Sequence, residues 1–222
     1  MKPVSRTNYW GWLLGVMLLA GLSGCGHAEQ ASDKPKDKKE GAAMPSGKTE
    51  LATFGEGCFW CSEALFTRVP GVKKVTSGYS GGTVANPSYK EVCTGSTGHA
   101  EVVQVEFDPG LVSYDKLLDV FFTTHDPTTL NQQGHDKGTQ YRSVIFYHSD
   151  EQKKAAEASK EKWNKSGHWD NPVVTEITKA GEFYKAEGYH QDYFKLNPDE
   201  GYCRLVIAPK VEKFEKEQQK DK

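Results

Sequence analysis

The chain has 222 residues, of which 28 are basic and 30 acidic, so its formal net charge is −2. This balance disfavours nucleic acid as a partner, because binding to phosphates requires a clustered basic surface. The part of the chain that follows the N-terminal region suits one ordinary domain, and we expect that domain to act as a monomer.

Residues 1–24 are typical of a lipoprotein signal peptide. Lys2 and Arg6 precede an apolar run over residues 10–22, which is shorter than the roughly 20 residues that a membrane span needs. The run ends in Leu-Ser-Gly-Cys25, which resembles a bacterial lipobox, so Cys25 is a candidate for lipidation. An uncleaved anchor helix is the alternative. Both interpretations predict a membrane-anchored domain outside the cytoplasm.

Residues 25–48 have a different composition from both of their neighbours. They contain no aromatic residue and interleave Lys with Asp and Glu. Such a segment cannot bury enough apolar surface to offset the entropy of ordering it. We therefore predict a lipidated N-terminus and a disordered charged tether over residues 25–48, followed by a folded domain over residues 49–222.

The most informative feature of the folded domain is Cys58, in the stretch Gly57-Cys58-Phe59-Trp60-Cys61. Residues 51–54 favour a strand and residues 62–66 favour a helix, so Cys58 lies at a strand-to-helix corner. The free amides and the dipole of a first helical turn stabilise a thiolate, which predicts a lowered pKa for Cys58. By themselves, Cys58 and Cys61 leave three interpretations open: a redox or nucleophilic pair, half of a metal site, or structural cysteines.

The rest of the domain alternates strands with helices. Strands are predicted at residues 72–79, 101–107, 143–147 and 173–178, and helices at residues 114–124 and 150–165. Residues 125–140 are polar and lack an apolar period, which predicts a long functional loop. Residues 183–196 favour broken helical turns, and residues 197–203 an irregular, mobile tail. The order predicts an α/β (α+β) fold: a two-layer sandwich with a mixed sheet, a ferredoxin-like core and an irregular C-terminal tail.

Six short motifs together resemble the peptide methionine sulfoxide reductase A family. They are Gly-Cys-Phe-Trp at 57–60, Gly-Tyr-Ser-Gly-Gly at 78–82, Asn-Pro-Ser-Tyr-Lys-Glu-Val-Cys at 86–93, Gly-His-Ala-Glu at 98–101, Gly-Thr-Gln-Tyr-Arg-Ser at 138–143 and Gly-Tyr-Cys at 201–203. Each motif is weak alone, but the six in this order are specific. The resemblance implies reduction of the S epimer of methionine sulfoxide, free or in proteins, without a metal or an organic cofactor.

The resemblance also implies roles for individual residues. Cys58 would attack the sulfoxide sulfur and become a sulfenic acid. Glu101, Tyr89 and Tyr141 would hydrogen-bond the sulfoxide oxygen. A dry pocket would keep Glu101 protonated. The substrate-binding residues would be Phe59 and Trp60, which contact the methyl group, Asp136, which organises the pocket from the long loop, and Tyr202, which adds to its lining.

Recycling of the enzyme would depend on a second cysteine. By the resemblance, Cys203 is the resolving thiol, and it forms a disulfide with Cys58 that an external dithiol such as thioredoxin or a thioredoxin-like protein reduces. Cys61 stands where many relatives have glycine, and we expect it to pack or to act as a backup thiol. Cys93 is expected to be a buried structural cysteine.

Two other functions stay open on the sequence alone. A thiol-disulfide oxidoreductase would use Cys58 and Cys61 as its dithiol. A non-enzymatic surface lipoprotein would instead hold its domain cysteines in two disulfides. A zinc module is disfavoured because no second pair of suitably spaced ligands accompanies Cys58 and Cys61, and we expect His99, His125 and His135 to be structural.

Overall fold

The computed structural model describes residues 47–220, so the predicted signal peptide, Cys25 and nearly all of the predicted tether lie outside the described residues. The strands are β1 (Glu50–Glu56), β2 (Val72–Ser80), β3 (Ala100–Phe107), β4 (Gln132–Gln133), β5 (Asp136–Lys137), β6 (Ser143–Tyr147), β7 (Glu176–Lys179) and β8 (Phe183–Lys185). The helices are α1 (Phe59–Phe66), α2 (Tyr89–Cys93), α3 (Tyr114–Thr124), α4 (Asp150–Lys165), α5 (Tyr193–Leu196) and α6 (Ala208–Lys220). Turns of 3₁₀ helix lie at Thr139–Tyr141 and Gly188–His190, and a π-helical segment at Cys203–Ile207.

Six strands form one mixed sheet in the order β7-β6-β1-β3-β2-β8. Strands β6 and β7 are parallel, and all the remaining neighbouring pairs of this sheet are antiparallel. The four inner strands, with α1 between β1 and β2 and α3 between β3 and β6, have the β-α-β-β-α-β order of a ferredoxin-like unit. The predicted α+β sandwich with a mixed sheet and a ferredoxin-like core is confirmed.

The main core lies between the sheet and its helices. Side chains alternate across a strand, so Val103 and Val105 of β3 face this core, whereas Val102 belongs to a small cluster with Val144 and Phe146. Helix α1 buries seven of its eight residues, five of them in the main core. Its N-terminus, where Cys58 lies, is therefore held firmly against the sheet.

Several predicted elements differ from the structure in their bounds or type. Strand β7 begins at Glu176 rather than at residue 173, and residues 183–196 begin with strand β8 instead of helical turns. Strand β8 forms because Phe183–Lys185 pairs with the edge of β2, a partner distant in sequence. The five-residue helix α2 was not predicted, although Ser88 and Glu91 form a capping box at its start.

The predicted irregular C-terminal tail is confirmed at residues 197–200, which form turns, but it is wrong from Gly201 onward. A π-helical segment follows Tyr202 directly and continues into α6, which ends at Lys220. The apolar residues Cys203, Ile207, Val211 and Phe214 recur at helical spacing and are all buried. This amphipathic period explains why the segment packs against the core as a helix.

Candidate active site

Cys58 is the N-cap residue of α1, as the sequence predicted. It follows Gly57, whose φ of +93° lets the chain turn sharply out of β1. The backbone N–H of Cys61 donates to the carbonyl oxygen of Cys58 at 3.1 Å and closes the first turn. The thiol side chain makes no capping hydrogen bond, and Cys58 is 8% exposed.

The predicted site residues meet at one small pocket. Its volume is about 170 Å³, and its lining residues are Cys58, Phe59, Trp60, Tyr89, Glu101, Asp136, Tyr141 and Tyr202. These residues come from α1, α2, β3, β5, a 3₁₀ turn and the segment before α6. The fold thus brings together every residue to which the sequence assigned catalysis or substrate binding, apart from Cys203.

Glu101 is the acidic group of this pocket. It lies on β3 and is 1% exposed, and its Oε2 accepts a hydrogen bond from the backbone N–H of Phe59 at 3.1 Å. Burial raises the pKa of Glu101 to about 8, although the Phe59 hydrogen bond opposes the shift. At neutral pH the carboxyl is therefore mainly protonated and can donate a hydrogen bond into the pocket.

Tyr89 and Tyr141 are positioned by two short helical segments. The backbone N–H of Tyr89 donates to Glu187 at 2.8 Å, which fixes the start of α2. Tyr141 ends a 3₁₀ turn that Arg142 braces by donating to the carbonyl oxygen of Thr139 at 2.9 Å. Burial raises the pKa of both tyrosines, so both phenols are neutral hydrogen-bond donors.

The thiol of Cys58 is not activated in the way that the sequence predicted. Burial raises the pKa of Cys58 well above its usual value, and the neighbouring Cys61 and Glu101 raise it further. The lowered pKa expected from the helix start is wrong, because desolvation outweighs the dipole at this buried position. Cys58 is a thiol in the resting protein.

An aromatic cluster supports the apolar wall of the pocket. The ring of Trp60 stacks on Tyr193 with centroids 3.7 Å apart, and its indole N–H donates to Nδ1 of His190 at 3.0 Å. Burial lowers the pKa of His190, so the ring is neutral and can accept this hydrogen bond. The ring centroids of Phe59 and His190 are 5.0 Å apart.

Comparison with known proteins agrees with the site. Residues 50–222 match the family described as peptide methionine sulfoxide reductase. Peptide methionine sulfoxide reductase MsrA of Polynucleobacter asymbioticus is 56% identical over 165 residues, covering 74% of this chain and 87% of the relative. The protein of the same name from Haloquadratum walsbyi is also 56% identical, covering 74% of this chain and 94% of the relative.

Solved structures give the same answer. The reduced form of Mxr1 from Saccharomyces cerevisiae has a TM-score of 0.67 and 40% identity, covering 71% of this chain and 91% of that one. Methionine sulfoxide reductase A of Corynebacterium diphtheriae has a TM-score of 0.62 and 39% identity, covering 71% and 78%. The chain belongs to the peptide methionine sulfoxide reductase A family. Its activity is the thiol-dependent reduction of methionine sulfoxide, as the sequence predicted.

The other cysteines of this reductase lie in unexpected places. All four cysteines of the described residues are free thiols. Cys203 is fully buried in the π-helical segment, so the expectation of a mobile tail is wrong for it. Cys93 is exposed at the end of α2, which contradicts the prediction of a buried structural cysteine. Cys61 is buried beside Cys58, where it lines a second cavity.

Sequence reasoning missed the residues that support the reductase site. Glu187 accepts hydrogen bonds from the Tyr89 backbone and from the Tyr79 hydroxyl, at 2.8 and 2.9 Å, and His190 and Tyr193 support Trp60. Residues 187–193 are rich in His, Glu and aromatic side chains, and this composition could have indicated a supporting role. His99 has the expected structural role, because it accepts from the Gly82 N–H and contacts the Val84 carbonyl.

Within residues 47–220, no group of three or more His, Cys, Asp or Glu side chains is arranged to hold a metal ion. In the same described range, no helix is long and apolar enough to cross a membrane.

Proposed function

We propose that this reductase acts on the S epimer of methionine sulfoxide, free or in proteins, with Cys58 as the nucleophile. The observation that carries this proposal is the meeting of Cys58 and a protonated Glu101 in one pocket of about 170 Å³. A pocket of this volume suits the small end of a methionine side chain. Its lining combines an apolar wall with neutral hydrogen-bond donors, which suits a methyl group beside a sulfoxide oxygen.

The reaction transfers oxygen from the substrate to Cys58. The sulfoxide oxygen accepts hydrogen bonds from Glu101, Tyr89 and Tyr141, which draws electrons away from the sulfur. Sγ of Cys58 attacks the substrate sulfur, and the sulfur–oxygen bond of the substrate then breaks as the oxygen passes to Sγ. Glu101 lends a proton to this oxygen and recovers one from the thiol, so the products are a thioether and a Cys58 sulfenic acid.

Recycling then returns Cys58 to the thiol. The Cys58 sulfenic acid condenses with a thiol, water leaves, and the cycle reaches a Cys58–Cys203 disulfide. A dithiol protein of the thioredoxin class reduces this disulfide. Because Cys203 is fully buried, the helix start at residues 201–207 has to shift before the two sulfur atoms can bond.

A single assay tests the substrate and the nucleophile. The protein is mixed with a peptide that contains racemic methionine sulfoxide, together with dithiothreitol, and the two epimers are followed by chromatography. We expect loss of the S epimer alone, no loss with Cys58→Ser, and one equivalent of methionine with Cys203→Ser when a thioredoxin-class protein is the only reductant. Consumption of neither epimer, with reduction of a disulfide substrate instead, would establish the thiol-disulfide oxidoreductase alternative.

We also propose that the chain is an extracytoplasmic lipoprotein, anchored through Cys25. The support is the basic start, the apolar run and the Leu-Ser-Gly-Cys25 sequence, followed by a charged tether. The full chain is expressed in a bacterium, and the N-terminal peptide of the processed protein is analysed by mass spectrometry. We expect a lipid on Cys25 and partition into detergent, and no lipid in Cys25→Ser. A soluble wild-type protein with an unmodified Cys25 would refute the anchor.

A further inference from the structure

Cys61 is placed to form a disulfide with Cys58 without any change of fold. The 3.1 Å hydrogen bond from the Cys61 N–H to the Cys58 carbonyl closes a turn between them. Residues that close such a turn have Cα atoms less than about 7 Å apart, and a disulfide needs about 4.4 to 6.8 Å. The resting backbone therefore already meets the main distance requirement.

The two thiols share a cavity next to the substrate pocket. This cavity of about 130 Å³ is lined by Cys58, Cys61, Gln133, Gly134, His135, Asp136, Tyr202, Val206 and Lys210. The Tyr202 hydroxyl lies 4.0 Å from Sγ of Cys61. Cys203 lines neither this cavity nor the substrate pocket. Cys61 therefore has open space beside Cys58, and Cys203 lacks it.

The charges around Cys61 favour its thiolate. A hydrogen bond from Cys58 lowers the pKa of Cys61 most, and the positive charge of Lys210 lowers it further, against the effect of burial. Burial instead raises the pKa of Cys203. A thiolate is the attacking species in disulfide formation, and the positive charge of Lys210 favours that form at Cys61, whereas burial disfavours it at Cys203.

We propose that Cys61 is the first resolving thiol and that Cys203 acts only in a later exchange. This inference rests on the proposed function, because it needs the Cys58 sulfenic acid. The sulfur of Cys61 attacks the Cys58 sulfur, the bond from that sulfur to oxygen breaks, and the hydroxyl leaves as water with the Cys61 proton. Cys58 is reduced from the sulfenic acid, Cys61 is oxidised, and a Cys58–Cys61 disulfide results.

The later exchange accounts for Cys203. The Cys203 thiolate attacks the Cys58 sulfur of the new disulfide, and Cys61 leaves as a thiolate. The positive charge of Lys210 stabilises the departing Cys61 thiolate, which suits Cys61 as the leaving group in this step. The product is the Cys58–Cys203 disulfide, and Cys61 is regenerated. Early capture by Cys61 protects the sulfenic acid during the time that residues 201–207 need to shift.

The sequence makes the first disulfide easy to detect. Trypsin cuts after Lys48 and Arg68 but nowhere between them, so Cys58 and Cys61 lie on one peptide, whereas Cys203 lies on residues 196–204. A Cys58–Cys61 disulfide removes two hydrogens from a single peptide. A Cys58–Cys203 disulfide joins two peptides. Mass spectrometry therefore distinguishes the two disulfides directly.

The test uses the full reduced chain with one equivalent of methionine sulfoxide peptide and no reductant. Samples are quenched in acid with a maleimide at successive times, and parallel samples contain dimedone, which traps sulfenic acids. In Cys203→Ser we expect an internal disulfide in residues 49–68 and little trapped Cys58. In Cys61→Ser we expect the trapped Cys58 to persist at least about tenfold longer than in the wild type.

Two controls make the result specific. Cys93→Ser removes an exposed thiol that lines neither cavity and leaves a hydroxyl that can replace the Cys93 hydrogen bond to Tyr89, so it should behave as the wild type does. Cys203→Ser incubated with methionine instead of the sulfoxide should contain no internal disulfide, which excludes oxidation by air.

The outcomes separate the two proposals. Methionine formation in Cys203→Ser with a persistent, dimedone-reactive Cys58 and no internal disulfide would overturn the role of Cys61 alone. An unchanged lifetime of the sulfenic acid in Cys61→Ser would do the same. Absence of methionine from every variant, including the wild type, would overturn the proposed function and this inference together.

Discussion

The hydroxyl of Tyr202 donates a hydrogen bond to Oδ2 of Asp136 at 2.7 Å. This contact joins the residue before Cys203 to β5, in the long loop between α3 and β6. Both residues line the substrate pocket and the cavity that holds Cys61. The segment that carries Cys203 is therefore fastened across the site, and its movement during recycling has to break this hydrogen bond.

Replacing Tyr202 by phenylalanine should weaken substrate binding. The Tyr202→Phe variant keeps the ring but leaves Asp136 without its donor, and a hydrogen bond to a charged group contributes about 1.5 to 3 kcal/mol. We expect kcat/KM for a methionine sulfoxide peptide to fall about tenfold, mainly through KM. Steady-state kinetics with dithiothreitol measure the effect. Tyr147→Phe, at the end of β6 and outside both cavities, is the matched control. Equal kinetics for both variants would contradict the prediction.

Glu101 should act as the proton donor of the reaction. Glu101→Gln preserves the size of the side chain and can accept from the Phe59 N–H, but it cannot transfer a proton. We expect the single-turnover rate of methionine formation to fall about 10²-fold to 10⁴-fold.

The same rate in the wild type should depend on pH. The donor is present while Glu101 is protonated, and it disappears as the pH rises through the pKa of about 8. We expect the rate, measured without reductant between pH 6 and pH 10 (roughly two pH units on either side of that pKa), to decline on the alkaline side. Glu106→Gln, on the same strand, should keep the wild-type profile. A wild-type rate that keeps rising above this pKa would exclude Glu101 as the donor.

Glu56 should make the folded protein less stable as the pH rises. It ends β1 and is 3% exposed, and burial raises its pKa from 4.5 to about 8, against the charge of Lys210. Between these two values the folded state holds a proton that the unfolded state has released. The contribution of Glu56 to stability is therefore complete below pH 4.5 and is lost as the pH rises through about 8.

Substitution of Glu56 isolates this effect. Burial lowers the pKa of His125 to about 3, and its ring, whose Nδ1 is 3.8 Å from Glu56, is neutral in both states at and above neutral pH. Between neutral pH and about pH 8, where the protonated fraction of folded Glu56 falls toward one half, Glu56→Gln should reduce the fall of the unfolding free energy by about 1 kcal/mol per pH unit. Urea unfolding at several pH values measures the slope. Glu50→Gln, exposed on the same strand, should not change it, and equal slopes for Glu56→Gln and the wild type would exclude this role.

The turn before Cys58 should require glycine. A Cβ at Gly57 would lie 2.6 Å from Cβ of Gln133, at a φ of +93° that other residues rarely adopt. Gln133 is itself held by hydrogen bonds to Asp126, so it cannot move away freely. We expect Gly57→Ala to destabilise the fold by about 1 to 3 kcal/mol and to reduce activity through displacement of Cys58. Thermal unfolding and kinetics are compared with Gly181→Ala, where a Cβ would meet nothing within 4 Å.

The sequence predicted those features of the site that depend on short local motifs. The strand-to-helix corner at Cys58, the helices that begin at Tyr114 and Asp150 and the polar loop that carries Asp136 all have local causes, and all appear in the structure. Strand β8 was missed because its three residues become a strand only by pairing with β2. Glu187 and His190 were missed for the same reason, since their roles depend on Tyr89 and Trp60, which are distant in sequence.

By itself, the sequence determined the family, the order of the core elements and the identity of the residues that line the pocket. Those properties depend on residue types and spacings, which a chain displays before it folds. The tertiary structure alone decided the raised pKa of Cys58, the burial of Cys203 and the partnership of Cys61 with Lys210 across their shared cavity. The physical reason is that desolvation and charge act through space, so they depend on segments that only folding brings together.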